Sequence, residues 1–232
     1  MAEVTDVSDA QDAAVRDEAR VAPPHGLVVE VGDYDHRRFP RRRGAVLAKA
    51  INDAVVEELA ERGYAGFTFE GVASRAGTGK STLYRRWADK PAIVIDGLSA
   101  SLPDLAEYRS SGSLRDDLIA VLSMYGNSCD GSLGVALRVV CGEAAVSAEL
   151  KELWQERAVA PRLDLIRRLI REAIDRGEAR PGALADECVT AGPALVGTTY
   201  MRESAAPSRE TIERIVDHVM IPMLEAREPV AR

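Results

Sequence analysis

Gly79, Lys80 and Ser81 have the types and order that close a phosphate-cradling loop, where backbone N–H groups wrap a phosphate and a lysine reaches its outer oxygens. The complete pattern also needs a glycine five residues before Gly79, to turn the chain sharply out of a buried strand, and Ser74 stands there. No strand pattern precedes it. Val72, Ala73 and Ala76 fall at helical spacing, and Thr68 is placed to cap a helix by accepting a bond from an early N–H. A P-loop-like nucleotide-binding enzyme using Gly79, Lys80 and Ser81 is the minor reading of this stretch. The segment Gly126-Asn-Ser128-Cys-Asp130 comes nearest to a serine-hydrolase elbow, but lacks its second glycine and a flanking strand. Cys129, Cys141 and Cys188 form no C-x-x-C pair and read as small buried apolar residues. His25, His36 and His218 lack metal-ligand spacing. We therefore expect no catalytic residue, no cofactor and no metal site.

The other chemistry open to the Gly-Lys-Ser stretch is electrostatic. The chain carries a net charge of −7, yet Arg37 to Lys90 holds twelve cations against six acids, so that segment is +6 and the remainder −13. Such asymmetry fits a nucleic-acid-binding module joined to an acidic domain, and also a solvated helix surface. The run Arg37-Arg38-Phe39-Pro40-Arg41-Arg42-Arg43 reads as an arm whose Arg41, Arg42 and Arg43 can reach a minor groove or a phosphate, or as a solubilising junction.

The elements that must hold these residues are helices. From Arg43 onward Leu47, Ala50, Ile51, Ala54, Val55 and Leu59 repeat at three and four residues, and Gly63 ends the run. A second helix runs from Thr68 to the Ala76-Gly77-Thr78 turn, with Gly71 inside it costing roughly 0.5–1 kcal/mol. A third starts near Gly79 and turns Leu83 and Trp87 inward, leaving Lys80, Ser81, Thr82, Tyr84 and Arg85 outward. Two helices meeting steeply at a small-residue turn make a helix-turn-helix, whose exposed third helix can enter a major groove.

Phe67-Thr68, Val72-Ala73, Ala76-Gly77, Thr82-Leu83-Tyr84, Trp87 and Lys90 together resemble the N-terminal DNA-binding domain of the TetR family of bacterial transcriptional regulators. The resemblance is dense from about Arg43 to Val94 and beyond that covers only the helical layout. Two departures stand out. Thr78-Gly79 replaces the usual Val-Ser, so either residue can open the recognition helix, and Trp87 replaces the usual Phe. The resemblance implies that Lys80, Ser81 and Thr82 face base edges and nearby phosphates, and that Thr68, Tyr84 and Lys90 contact backbone phosphate. Arg75 and Arg85 join them on charge and exposure.

With 46% hydrophobic and 29% charged residues the composition is that of a soluble globular protein. No apolar run approaches the roughly 18 residues of a membrane span. The acidic N-terminus lacks the pattern of a secretory signal, so we expect a cytoplasmic protein with no membrane partner. The expected fold is all-α. Residues 1–36 form a disordered extension, 37–90 the helix-turn-helix domain, and 91–228 a helical effector-binding and dimerisation domain. Within the last, Glu149 to Arg176 reads as one long helix, and Pro193 should kink the penultimate one.

The resemblance further implies a homodimer, a palindromic double-stranded DNA operator, and a small-molecule effector acting on what is most often a repressor. Val189, Val196 and Tyr200, with Ile212, Ile215, Val216, Val219 and Met223, suit a four-helix bundle with a second copy, or alternatively the chain's own core. Leu98, Leu122, Met124, Tyr125, Val140, Cys141 and Trp154 are candidate walls of an effector pocket, with Arg138 or Glu143 as polar anchors. Each of the apolar ones also reads as plain core.

Overall fold

A computed structural model of the chain describes residues 44–105 and 108–225. The extension over residues 1–36 and the arm with Arg41, Arg42 and Arg43 lie outside the described residues. Helix α1 (Ala45–Gly66) buries Ile51, Ala54, Val55 and Leu59 as their spacing requires, and is kinked at Gly63 before one last turn. Helix α2 (Phe69–Ala76) is capped by Thr68, whose Oγ1 accepts the Gly71 N–H at 3.0 Å. It ends at Gly77, where φ 63° and ψ 41° place the backbone in the left-handed region that glycine enters without steric cost.

Helix α3 (Lys80–Tyr84) begins after an extended Gly79 that offers no side-chain cap, so the recognition helix opens at Lys80 and Thr78 does not cap it. It is short. Leu83 is buried from the helix itself, while Trp87 is buried from beyond its end, in the segment leading to α4 (Lys90–Ser101). Asp89 caps α4 by accepting the Ala92 N–H at 2.9 Å.

The rest of the described chain is also helical: α5 (Leu114–Asn127), α6 (Gly131–Ala144), α7 (Ala148–Trp154), α8 (Ala160–Asp175), α9 (Asp186–Glu203), α10 (Arg209–Ile215) and α11 (Ile221–Leu224). The long helix expected from Glu149 is interrupted by a π turn over Gln155–Val159, ahead of Pro161. Proline donates no hydrogen bond and its ring crowds the carbonyl four residues back, and a widened turn relieves both. The same device recurs at Val216–Met220 before Pro222. Pro193 sits inside α9 without ending it. No described helix is long and apolar enough to cross a membrane.

The apolar interior falls into two parts. One joins α1–α4 to α6 and α7, so Ile51, Val72, Leu83 and Trp87 share a core with Val140, Leu150 and Trp154. The other joins α5 to α8–α11. Packing thus runs across residue 90, where the sequence places a domain boundary. It also reassigns most of the expected dimer stripe: Val189, Val196, Ile212, Ile215 and Val216 are buried in the second core of their own chain, and Tyr200 is buried as well. Val219 and Met223 stay partly exposed. Their neighbours turn inward because α9 and α10 pack against α5 of the same chain, and α9 against α8 as well.

Candidate nucleic-acid interface

The recognition surface rests on one buried carboxylate. Glu58 of α1 is only 3% exposed, and Arg75 of α2 pairs with it through Nε at 2.9 Å. The same guanidinium reaches Glu61 at 2.5 Å and Glu57 at 3.6 Å. Hydrogen bonds from Arg75 hold the Glu61 carboxyl below its usual range. Sequence reasoning placed Arg75 on DNA; its donors are instead spent clamping α2 to α1. Gly71 makes the clamp fit, because a Cβ there would sit 2.0 Å from Glu58 Oε1. Thr68 Oγ1 also donates to Glu58 Oε1 at 3.3 Å. Its one hydroxyl hydrogen is therefore committed within the head.

On this base α3 presents a polar ridge. Lys80, Ser81, Tyr84 and Arg85 are exposed, Thr82 is half-buried, and Leu83 and Trp87 hold the underside. Tyr84 is 54% exposed and stacks face to face on Phe69 of α2, ring centres 4.5 Å apart. Phe69 thus aims the phenol outward. Lys80 pairs with Glu70 at 2.7 Å, both side chains more than half exposed, and that bond lowers the Glu70 carboxyl pKa. An exposed pair of this kind contributes little and is readily exchanged for a phosphate.

Lys90, expected on a phosphate, lies against α1: its Nζ sits 4.3 Å from the Tyr64 ring centre and 3.4 Å from the Ala65 carbonyl. Desolvation there pushes its pKa down. Sequence reasoning missed Arg86, exposed beside Arg85 with its guanidinium 4.7 Å over the Trp87 ring. It also missed Asp96 of α4, which accepts the Trp87 indole N–H at 2.8 Å on Oδ2 and binds Arg157 through Oδ1. The phosphate-loop alternative finds no support in this geometry. Ser74 lies within α2, a helix where a P-loop needs a strand and a turn, and Gly79 is an extended residue before a single short helix.

In the C-terminal half, Leu122, Met124 and Tyr125 line a small cavity between α5, α8 and α9. Leu98, Val140 and Trp154 belong to the first core instead, and Cys141 is exposed. Arg138 lies over the Tyr200 ring at 5.1 Å, outside the cavity. The cation that does line it is Arg162, together with Pro193 from the α9 interior.

Comparison with known proteins agrees with this architecture. Residues 51–96 match the bacterial regulatory proteins of the tetR family, and residues 109–219 match the tetracyclin repressor-like C-terminal domain. An uncharacterised HTH-type transcriptional regulator of Mycobacterium tuberculosis is 30% identical over 166 residues, 72% of this chain and 82% of that protein. The DNA-binding transcriptional repressor TetR of Mycobacteroides abscessus is 26% identical over 78% of this chain and 96% of its own. The crystal structure of a TetR family transcription regulator superposes with a TM-score of 0.61 at 26% identity, covering 75% of this chain and 96% of that one. Helix-turn-helix, helical C-terminal body and sequence relatives agree: the chain belongs to the TetR family and is a DNA-binding transcriptional regulator.

Proposed function

We infer that the protein is a homodimeric repressor that holds a palindromic operator and releases it when a small molecule occupies the C-terminal body. The observation that carries the DNA side is the α3 ridge, with Lys80, Ser81, Tyr84 and Arg85 outward over a fully buried Leu83. A helix so presented places its N-terminal residues at base edges, and two copies related by a twofold axis read half-sites roughly 34–36 Å apart or a multiple of that. The repressor sense is favoured by the likeness to the Mycobacteroides abscessus repressor. Lys80, Ser81 and Thr82 then read bases, and Tyr84 and Arg85 hold phosphates. Lys90 joins them by leaving Tyr64.

The dimer face is drawn from what α9–α11 leave uncovered: Leu195 and Met201 on α9 are exposed, and Val219 and Met223 are half-buried. The testing experiment is a gel shift with the DNA upstream of the gene, repeated over a salt series. Tight binding that falls steeply with salt supports the reading, because cations of a chain with net charge −7 must displace counterions from DNA. Binding that ignores salt counts against it. Tyr84→Phe keeps the Phe69 stack and removes only the hydroxyl, so it should weaken all DNA sequences alike, by about three- to tenfold.

A further inference from the structure

Arg162 of α8 is a half-buried cation whose charge is partly desolvated. Its guanidinium donates to the Ala158 carbonyl one turn back and forms no ion pair among the described residues, although an arginine carries five N–H donors. Burial pushes its pKa below the ordinary arginine value, and the phenol of Tyr125 lies near it in the cavity wall. A partly desolvated charge without a carboxylate is costly to keep, and the surroundings show what would offset that cost. On one side lies the apolar cavity of Leu122, Met124, Tyr125, Leu163, Ile166 and Pro193. On the other lies an open groove that shares Pro103, Leu105 and Arg162 with the cavity and adds Arg109, Arg157 and Arg168.

The two spaces differ in size in an informative way. The cavity holds about 30 Å³, room for water-sized contents, whereas the groove offers about 780 Å³, within the range of small-molecule sites. Two acids also line the groove, Asp104 and Asp164, and Asp164 pairs with Arg167 at 3.1 Å. Arg168 is held by Glu172 at 3.4 Å and by the Tyr108 carbonyl at 3.1 Å. Arg109 is exposed. Arg157 is bound to Asp96, the residue that also holds the Trp87 indole beside the recognition helix.

We propose that this groove receives the anionic head, carboxylate or phosphate, of an amphipathic small molecule on Arg162, with its tail against the apolar cavity, and that the head draws Arg157 away from Asp96. The proposal rests on the effector reading above and deepens it. A carboxylate or phosphate matches the guanidinium fork and supplies the missing negative charge. The flexible Met124 side chain gives the narrow cavity a way to widen around a tail. Withdrawing Arg157 breaks the ion pair that ties α4 to the π turn, and leaves Asp96 with the indole alone. Occupancy is thereby transmitted from the α8 groove to the segment that positions α3.

The test uses the full chain with decanoate, decyl phosphate, decanol and decyltrimethylammonium as probes, read by thermal shift and by operator gel shift. We expect decanoate or decyl phosphate to raise Tm and release operator while the neutral and cationic probes do neither; the tighter anion identifies the head group. Arg162→Met, which keeps the apolar stem, should weaken the anions about tenfold or more. Asp96→Asn should still bind the anion, but the ratio of operator affinities without and with it should shrink at least about threefold. Decanol acting as strongly as decanoate, or Arg162→Met binding decanoate like the parent, overturns the anion site. An Asp96→Asn variant that responds like the parent overturns the Arg157 route. A parent chain that shifts operator DNA yet ignores both anions defeats this proposal alone. One that never shifts operator defeats the regulator reading, while the thermal shift still reports on the anion site.

Discussion

Gly71 and Glu58 show how much of the head depends on two atoms meeting. A methyl group at residue 71 would occupy the place of the Glu58 carboxylate, which then has to swing away from Arg75 and Thr68. We predict that Gly71→Ala destabilises the protein by about 1–2 kcal/mol in urea denaturation, although alanine favours a helix by roughly 0.5–1 kcal/mol. Glu58 was open to discovery in the sequence, since it falls three residues after Val55 on the apolar face of α1. A carboxylate in that position needs a cation. Which cation was not open to discovery, because Arg75 comes from another helix, and its charge alone reads equally well as a DNA contact. Glu70 carries a second consequence at this scale. Its carboxylate holds Lys80 and adds negative charge to the surface offered to DNA, so Glu70→Gln should tighten operator binding by about two- to fivefold in a low-salt gel shift.

Among the elements, α3 depends on its start. Gly79 has φ −80° and ψ 144°, a conformation any residue adopts, and a side chain there would meet nothing closer than Ser81 Oγ at 3.7 Å. Gly79→Ser should thus supply the absent cap and raise stability by a few tenths of a kcal/mol, measured as a higher Tm. The start of α5 depends on Asp117 in a different way. Burial alone would raise its carboxyl pKa, but bonds from Ser110 Oγ at 2.5 Å, the Ser111 N–H at 2.7 Å and the Tyr108 hydroxyl at 3.0 Å outweigh it and hold the pKa low. A carboxyl lowered on folding stabilises fully at neutral pH and loses that contribution as pH falls through the folded value. Urea midpoints below about pH 4 should accordingly fall more steeply for the parent than for Asp117→Asn. The helices themselves were readable from periodicity; their interruptions at Gln155–Val159 and Val216–Met220 were not, although Pro161 and Pro222 were the available signals.

For the whole molecule, the proposed dimer depends on a surface that would hold two heads together. Leu195 and Met201 project from α9 at 36% and 58% exposure, and a charge at Leu195 would have to be desolvated in any symmetric interface built there. Leu195→Glu should shift the protein to monomer in analytical ultracentrifugation and lower operator affinity by at least about a hundredfold, because each head then binds without the help of the other. The stripe Val189, Val196, Ile212, Ile215 and Val216 suits a partner helix as well as a core helix when seen as sequence. Its burial within one chain shows that apolar spacing defines a buried face without naming what covers it.

That distinction runs through the protein. Thr68 as a cap, Gly77 as the turn, Leu83 and Trp87 as the underside of the head, and the family all followed from residue types within a turn or two of each other, because capping and helical spacing are local interactions. The Arg75–Glu58 clamp and the Arg157–Asp96 link join residues 17 and 61 positions apart, and only packing could decide them. The same holds for Arg162, whose place between an apolar cavity and an open groove depends on where α5, α8 and α9 meet, a property that no local pattern encodes.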